Sequence, residues 1–378
     1  MLNRREISVA LAAGLAAGAM LTGSGSAHAA ASISCESRYD GAAVPGQTAN
    51  WQIVESTTAT ETGTGLGASV VSGPSNLWVF PGCGEALHYH DGQWREAPFP
   101  ASTSTPIYAA AASSPSDVWA FPFDNGSSTQ PVLFWNGKAW ARSGQLSGVT
   151  NYGIYAAAAA GPDSVWASDH KSLWHFNGQA WTRSSLPFSL ATMSAAPGGS
   201  LWATGTAGNT PVVAHLSGGY WTVTPMTRFL GGPPAELCQL AMMDIYAQGA
   251  DSVWAIGGQS CQDNGGGLAA VLHWNGSSWT AIRYHGNAGF GGSGSIAPDG
   301  SGGLWISMTG GVPGFGAMLH LTGGTTEQSA LPKIDGVIPA FKLETPPGGG
   351  TVFGVGSYFT FPHDFQHAGA VIIEQRAA

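Results

Sequence analysis

One pattern of small, aromatic and polar positions recurs along the chain. A run of small residues leads into a Ser/Pro/Asp/Gly turn, then an apolar residue, Trp and Ala. After a variable stretch come a His two residues before an Asn-Gly pair, and a second Trp. The first tryptophan stands at Trp78, Trp119, Trp166, Trp202, Trp254 and Trp305, and Phe353 takes its place in the last copy. The second stands at Trp94, Trp140, Trp181, Trp221 and Trp279, with Thr326 in the sixth copy. Successive copies are 41, 47, 36, 52, 51 and 48 residues apart, which makes seven units. Each reads as four short strands. In the fifth, Ser252-Val-Trp-Ala-Ile256 and Val271-Leu-His-Trp274 are two of them, and Asn275-Gly276 signals a type I′ hairpin into the strand that carries Trp279.

Units of roughly 40–50 residues, each of four antiparallel strands, are the signature of propeller blades. The expected fold is all-β: a seven-bladed β-propeller, which leaves few exposed strand edges. Helical solenoids are excluded, because no segment has 3.6-residue periodicity. The seventh unit ends near Ala370-Val-Ile-Ile-Glu374 with only three strands, while Asn50-Trp51-Gln-Ile-Val54 is a strand without a unit. Residues 50–55 are therefore expected to pair with 370–375 and close the last blade. The domain spans 30–378.

The first 29 residues read as a signal peptide: Arg4 and Arg5, an apolar core from Ile7 to Leu21, then Ala27-His28-Ala29 as a cleavage site. A secreted, extracellular protein follows, by Sec or twin-arginine export. In an oxidising compartment the four cysteines are expected as two disulfides. Cys238 and Cys261 lie equally far from the midpoint of the fifth unit's first hairpin, which leaves Cys35 for Cys83. Only 9% of the 378 residues are charged and the net charge is −9, so no nucleic-acid surface is expected. Nothing after residue 30 approaches the ~18 apolar residues of a membrane span. A monomer is expected.

The repeat carried by Ser116-Asp-Val-Trp-Ala120 and Asn136-Gly-Lys-Ala-Trp140 resembles the tryptophan-bracketed propellers of secreted bacterial proteins, and more loosely tectonin-type lectin propellers. That resemblance implies extracellular binding. The Gly-x-x-Trp piece also resembles the Asp-box of sialidase propellers, but Trp135 and Trp274 hold the place of its Asp.

Repetition separates frame from site. His175, His215, His273 and His320 recur at one position, with Phe134 and Tyr89 there in other blades, so they are read as packing beside the Trp and bonding a turn. The turns after the first and third strands share one face and are stereotyped. The loops after the second and fourth strands share the other and vary, as binding loops do. Tyr358, His363, Asp364, Asp263, Asn264, His170 and Arg228 are the candidate ligand-binding residues there, with Tyr152 and Phe123 among the aromatics. The inner strands are neutral except for Asp244, Lys342 and Glu344, and Asp244 is read as bonding either a neighbouring strand or a channel ligand.

No nucleophile elbow, HExxH, Walker loop or paired-carboxylate motif is present. No catalytic residue, metal or cofactor is expected; His363 and His367 have a useful metal spacing only on a helix, and theirs is a loop. The expected function is non-catalytic recognition of a glycan or an extracellular protein. An extracellular hydrolase or lyase acting on a carbohydrate-like substrate is the alternative.

Overall fold

The structure is a computed structural model that describes residues 47–56, 66–82, 85–101, 103, 106–123, 127–231, 238–261, 269–284, 294–309, 316–332, 341–346, 349–359 and 368–376. The described strands form seven four-stranded antiparallel sheets. In six of them the strand order follows the chain; the seventh joins Trp51–Ser56 to the outer side of Ala368–Gln375. Trp51 pairs with Gln375, Ile53 with Ile373 and Ser56 with Val371, so the ring closes as the repeat predicts. Among the described residues no helix is long and apolar enough to cross a membrane. The signal segment, Cys35 and Cys83 lie outside the described residues.

The first strand of each blade touches the first strands of its neighbours, so these seven strands line the axis. Blades converge there, and this accounts for runs such as Ala156–Gly161, where only small side chains fit. Wider apolar layers fill the space between adjacent blades. Trp78 and Phe80 of blade 1 pack with Val118, Leu133 and Trp140 of blade 2. Trp119 and Phe121 of blade 2 meet Trp174 and Trp181 of blade 3 in the same way. The core is thus a ring of layers between sheets.

The two tryptophans of the repeat are partners across blades. Trp78 meets Trp140 edge-on at 5.2 Å, and Trp202 meets Trp279 at 6.0 Å. Trp305 has no such partner in its own sequence neighbourhood; it finds Trp51, ring centroids 4.9 Å apart. The closing strand therefore supplies the missing second tryptophan of the seventh blade.

The recurrent histidines pack as expected, flat on the first Trp: His175 on Trp166, His215 on Trp202, His273 on Trp254, His320 on Trp305. Each imidazole Nε2 reaches the turn before the Trp, at Ser164, Ser200, Ser252 or Asp299. Blade 1 departs from the expected alignment. Opposite Trp78 stands His88, while Tyr89 lies opposite Leu77. The reason is its tighter third turn, where Asp91 and Gly92, both at positive φ, connect paired His90 and Gln93.

That turn chemistry also corrects the reading of the Asn-Gly pairs. A type I′ turn needs positive φ at both central residues; Gly137, Gly178 and Gly276 have it, but their asparagines do not. These are four-residue loops in which the Asn Oδ1 accepts two backbone N–H bonds, as Asn275 does from Ser277 and Ser278. The glycine is required by crowding as well. A Cβ on Gly178 would lie 2.6 Å from Asp163 Oδ1 in the blade's first turn. The Ser/Asp turn and the Asn-Gly turn are two sides of one contact.

Candidate functional site

On the face of variable loops, the described residues build an aromatic ridge across blades 2 and 3. Its first ring, Tyr108, owes its position to a bulge. Ile107 pairs with Pro122 and Ala109 with Phe121, which leaves Tyr108 unpaired at the mouth end of the inner strand. Its ring is 44% exposed and meets Phe123 edge-on at 5.2 Å. Phe123 rests on Gly153, where a Cβ would lie only 2.5 Å from its ring. The neighbouring Tyr152 is 50% exposed and meets His170 at 5.8 Å, edge to face.

His170 is held in an uncommon conformation. It is one of three non-glycine residues at positive φ among those described, at 80°. Its imidazole stacks on Tyr155 at 3.5 Å, and its Nδ1 donates to Leu190 O at 3.0 Å. Tyr155 Oη donates to the same carbonyl. Burial, opposed by the Leu190 bond and the Asp169 charge, holds the His170 pKa below the ordinary histidine value. The loop beneath is organised by Asp169, which is fully buried. Its carboxylate accepts the backbone N–H of Thr150 at 2.9 Å, Lys171 at 3.2 Å and Ser172 at 2.8 Å. One side chain thereby ties two variable loops together.

Arg228 shares the face but belongs to the connection between blades 4 and 5. The connection is anchored by buried Met226 and Leu230, and the guanidinium lies over Phe229 at 4.5 Å. Tyr358 falls within strand Phe353–Phe359, opposite Gly369. His363, Asp364, Asp263 and Asn264 lie outside the described residues. The structure thus brings His170 together with Tyr152 as the shared loop face implies. Sequence reasoning missed Tyr108 and Tyr155, whose only signal is a large ring at the start of a run of small residues.

Below the mouth runs the central channel, a cavity of about 490 Å³. One side is alanine, Ala110–Ala112 and Ala157–Ala160, and the other carries Asp244, Lys342 and Glu344. Asp244 bonds the neighbouring strand, where Oδ2 accepts Ser295 Oγ at 2.8 Å and the Ile296 N–H at 3.0 Å, and its own strand, where Oδ1 accepts the Ile245 N–H at 2.9 Å. Burial pushes its pKa up to about 6 against these bonds and the Lys342 charge. Lys342 forms an ion pair with Glu344 and donates to Ser69 O at 3.1 Å, while Ser69 Oγ donates to Glu344 Oε1 at 2.9 Å. Among the described residues, no group of three or more His, Cys, Asp and Glu could hold a metal ion.

No protein-family model matches the chain, and no curated protein sequence matches it either. Solved structures do. YCF48 from Cyanidioschyzon merolae is similar at 15% identity and a TM-score of 0.56, over 86% of this chain and 98% of that one. A YCF48 described as bound to D1 peptide is similar at 15% identity and a TM-score of 0.57, over 88% and 99%. A streptogramin B lyase is similar at 13% identity and a TM-score of 0.56, over 86% and 98%. At such identities the likeness is one of fold, and by fold the chain is a seven-bladed β-propeller.

Proposed function

We propose that this protein is a secreted, non-catalytic binding protein that recognises glycan on its variable-loop face. The observation that carries this reading is the ridge of Tyr108, Phe123, Tyr152 and His170, two of whose rings are about half exposed. Sugar rings present apolar C–H faces that stack on aromatic side chains and hydroxyls that need polar partners at the edge. Tyr152 and Tyr108 supply both a face and a hydroxyl. The rigid setting of His170 supports the reading, because a pre-ordered site loses less entropy on binding. Arg228, Tyr358, His363, Asp364, Asp263 and Asn264 are assigned to the same face as further contacts.

The test is a glycan array on the full-length mature protein, followed by calorimetry on the best ligand. Tyr152→Ala and Tyr108→Ala should each weaken binding roughly tenfold, a typical loss for an aromatic contact, without moving the melting temperature. Unchanged affinity in both variants would place the ligand elsewhere. Chemical turnover of the bound ligand would favour instead the hydrolase or lyase reading; the lyase among the fold neighbours makes that outcome worth measuring.

A further inference from the structure

The channel holds an arrangement that the loop face does not need. Each inner strand is the edge of its sheet, with a ladder partner on one side only. Side chains of neighbouring strands take some of the outward groups, as Ser194, Asp244 and Ser295 take the N–H of Ala247, Ile296 and Leu343, and the others are left along the cavity. The lining side chains are mostly too small to cover them. On this backbone-rich wall sits one neutral charged pair. Lys342 spends two donors on Glu344 and Ser69 O, leaving its third N–H for the channel, where the side chain is 46% exposed. Glu344 Oε1 takes both Lys342 and Ser69 Oγ; among the described residues nothing donates to Oε2.

An open donor next to an open acceptor is what one residue of an extended chain complements, because its own C=O and N–H point to the same side, the C=O toward Lys342 and the N–H toward Glu344. The rest of an extended chain can pair with an inner-strand edge, as peptides do on exposed sheet edges. The alanine wall of blades 2 and 3 offers no charge or side-chain hydrogen bond, and the cavity's volume is what limits an extended chain to a few small residues. The pair carries no net charge, so an uncharged ligand loses the least hydration on entering. The volume, about 490 Å³, is within the range of small-ligand sites.

We propose that the central channel binds a short, extended, uncharged peptide with small side chains, held at the N–H and C=O of one residue by Lys342 and Glu344. The probe is N-acetyl-trialanine amide, titrated calorimetrically into the full-length protein. Wild type should bind saturably. Glu344→Gln keeps the acceptor that Lys342 uses but puts an amide donor where Oε2 accepted, and affinity should fall roughly tenfold. The double variant Lys342→Met/Glu344→Met removes both charges together, leaves neither unpaired, and should lose as much. Tyr152→Ala should bind the peptide like wild type, which separates this site from the loop face. The proposal is overturned by wild type showing no binding at about 1 mM peptide, by unchanged affinity in Glu344→Gln, or by weakened binding in Tyr152→Ala. Should the double variant not melt cooperatively, Glu344→Gln alone decides.

Discussion

The imidazole of His88 lies flat on the indole of Trp78, with ring centroids 3.9 Å apart and planes 7° apart. Its Nε2 donates to Asn76 Oδ1 at 2.8 Å, and Asn76 Oδ1 also accepts Ser72 Oγ at 2.7 Å. A second histidine, His90, stacks at 5.7 Å and touches Asn76 Nδ2. Blade 1 therefore ties its first turn to its third strand through one amide.

These stacks make stability pH-dependent. Burial, with His90 and Arg95 nearby, lowers the His88 pKa to about 4, and burial lowers those of His175, His215 and His273. Below the ordinary value near 6.5, the unfolded chain takes up protons that the folded chain resists. Stability should thus fall as pH drops through 6.5, and His88 extends the loss toward 4. Melting temperatures between pH 7 and pH 4 check this. His175→Phe, which installs the ring that blade 2 uses at Phe134, should make the dependence shallower.

Asp244 titrates in the opposite sense. With its pKa raised to about 6, the folded state holds a proton that the unfolded state releases near 3.8. Its contribution to stability is therefore greatest at low pH and declines as pH rises from about 4 to 6. The Ser295 bond and the Lys342 charge both oppose the rise. Ser295→Ala and Lys342→Met should each move the Asp244 carboxyl titration, followed by ¹³C NMR, to higher pH. A shift downward would show that those two groups do not stabilise the carboxylate.

Ring closure rests on Trp51, fully buried and edge-on to Trp305. Trp51→Ala should cost about 3–5 kcal/mol in denaturant unfolding, the usual loss for a buried aromatic. Deleting residues 30–56 should lower the melting temperature further, since it exposes the whole edge of Ala368–Gln375. Wild-type stability after deletion would mean that the ring closes without the strand.

Cys238 and Cys261 are directly paired in the longest inner hairpin. Paired antiparallel residues have Cα atoms about 4.5–5.5 Å apart, within the span a disulfide bridges. Non-reducing peptide mapping of the protein produced in an oxidising compartment should recover Cys238 linked to Cys261 and Cys35 linked to Cys83. Recovery of Cys35 linked to either of the first two would refute the pairing.

Blade number, strand order, ring closure and the division into a stereotyped and a variable face were all determined by the sequence itself. Each rests on local signals that recur from blade to blade: small inner runs, Ser/Asp turns, Asn-Gly loops and bracketing tryptophans. Repetition turns weak local preferences into a strong global one. That His170 and Tyr152 share the variable face was legible for the same reason, since they interrupt the repeat there.

Tertiary structure alone decided the rest. The bulge that presents Tyr108 depends on how the inner strand pairs with its neighbour, and four blades share it at the same place relative to their first Trp. That His88 takes the position expected of Tyr89 follows from a two-residue turn that moves the register by one, and in a strand that exchanges the two faces. Trp51 finds Trp305, and Asp244 finds Ser295, across 254 and 51 residues of sequence. No local pattern encodes these partners, because they exist only once the N-terminal strand has joined the seventh blade and the inner strands have converged on the axis.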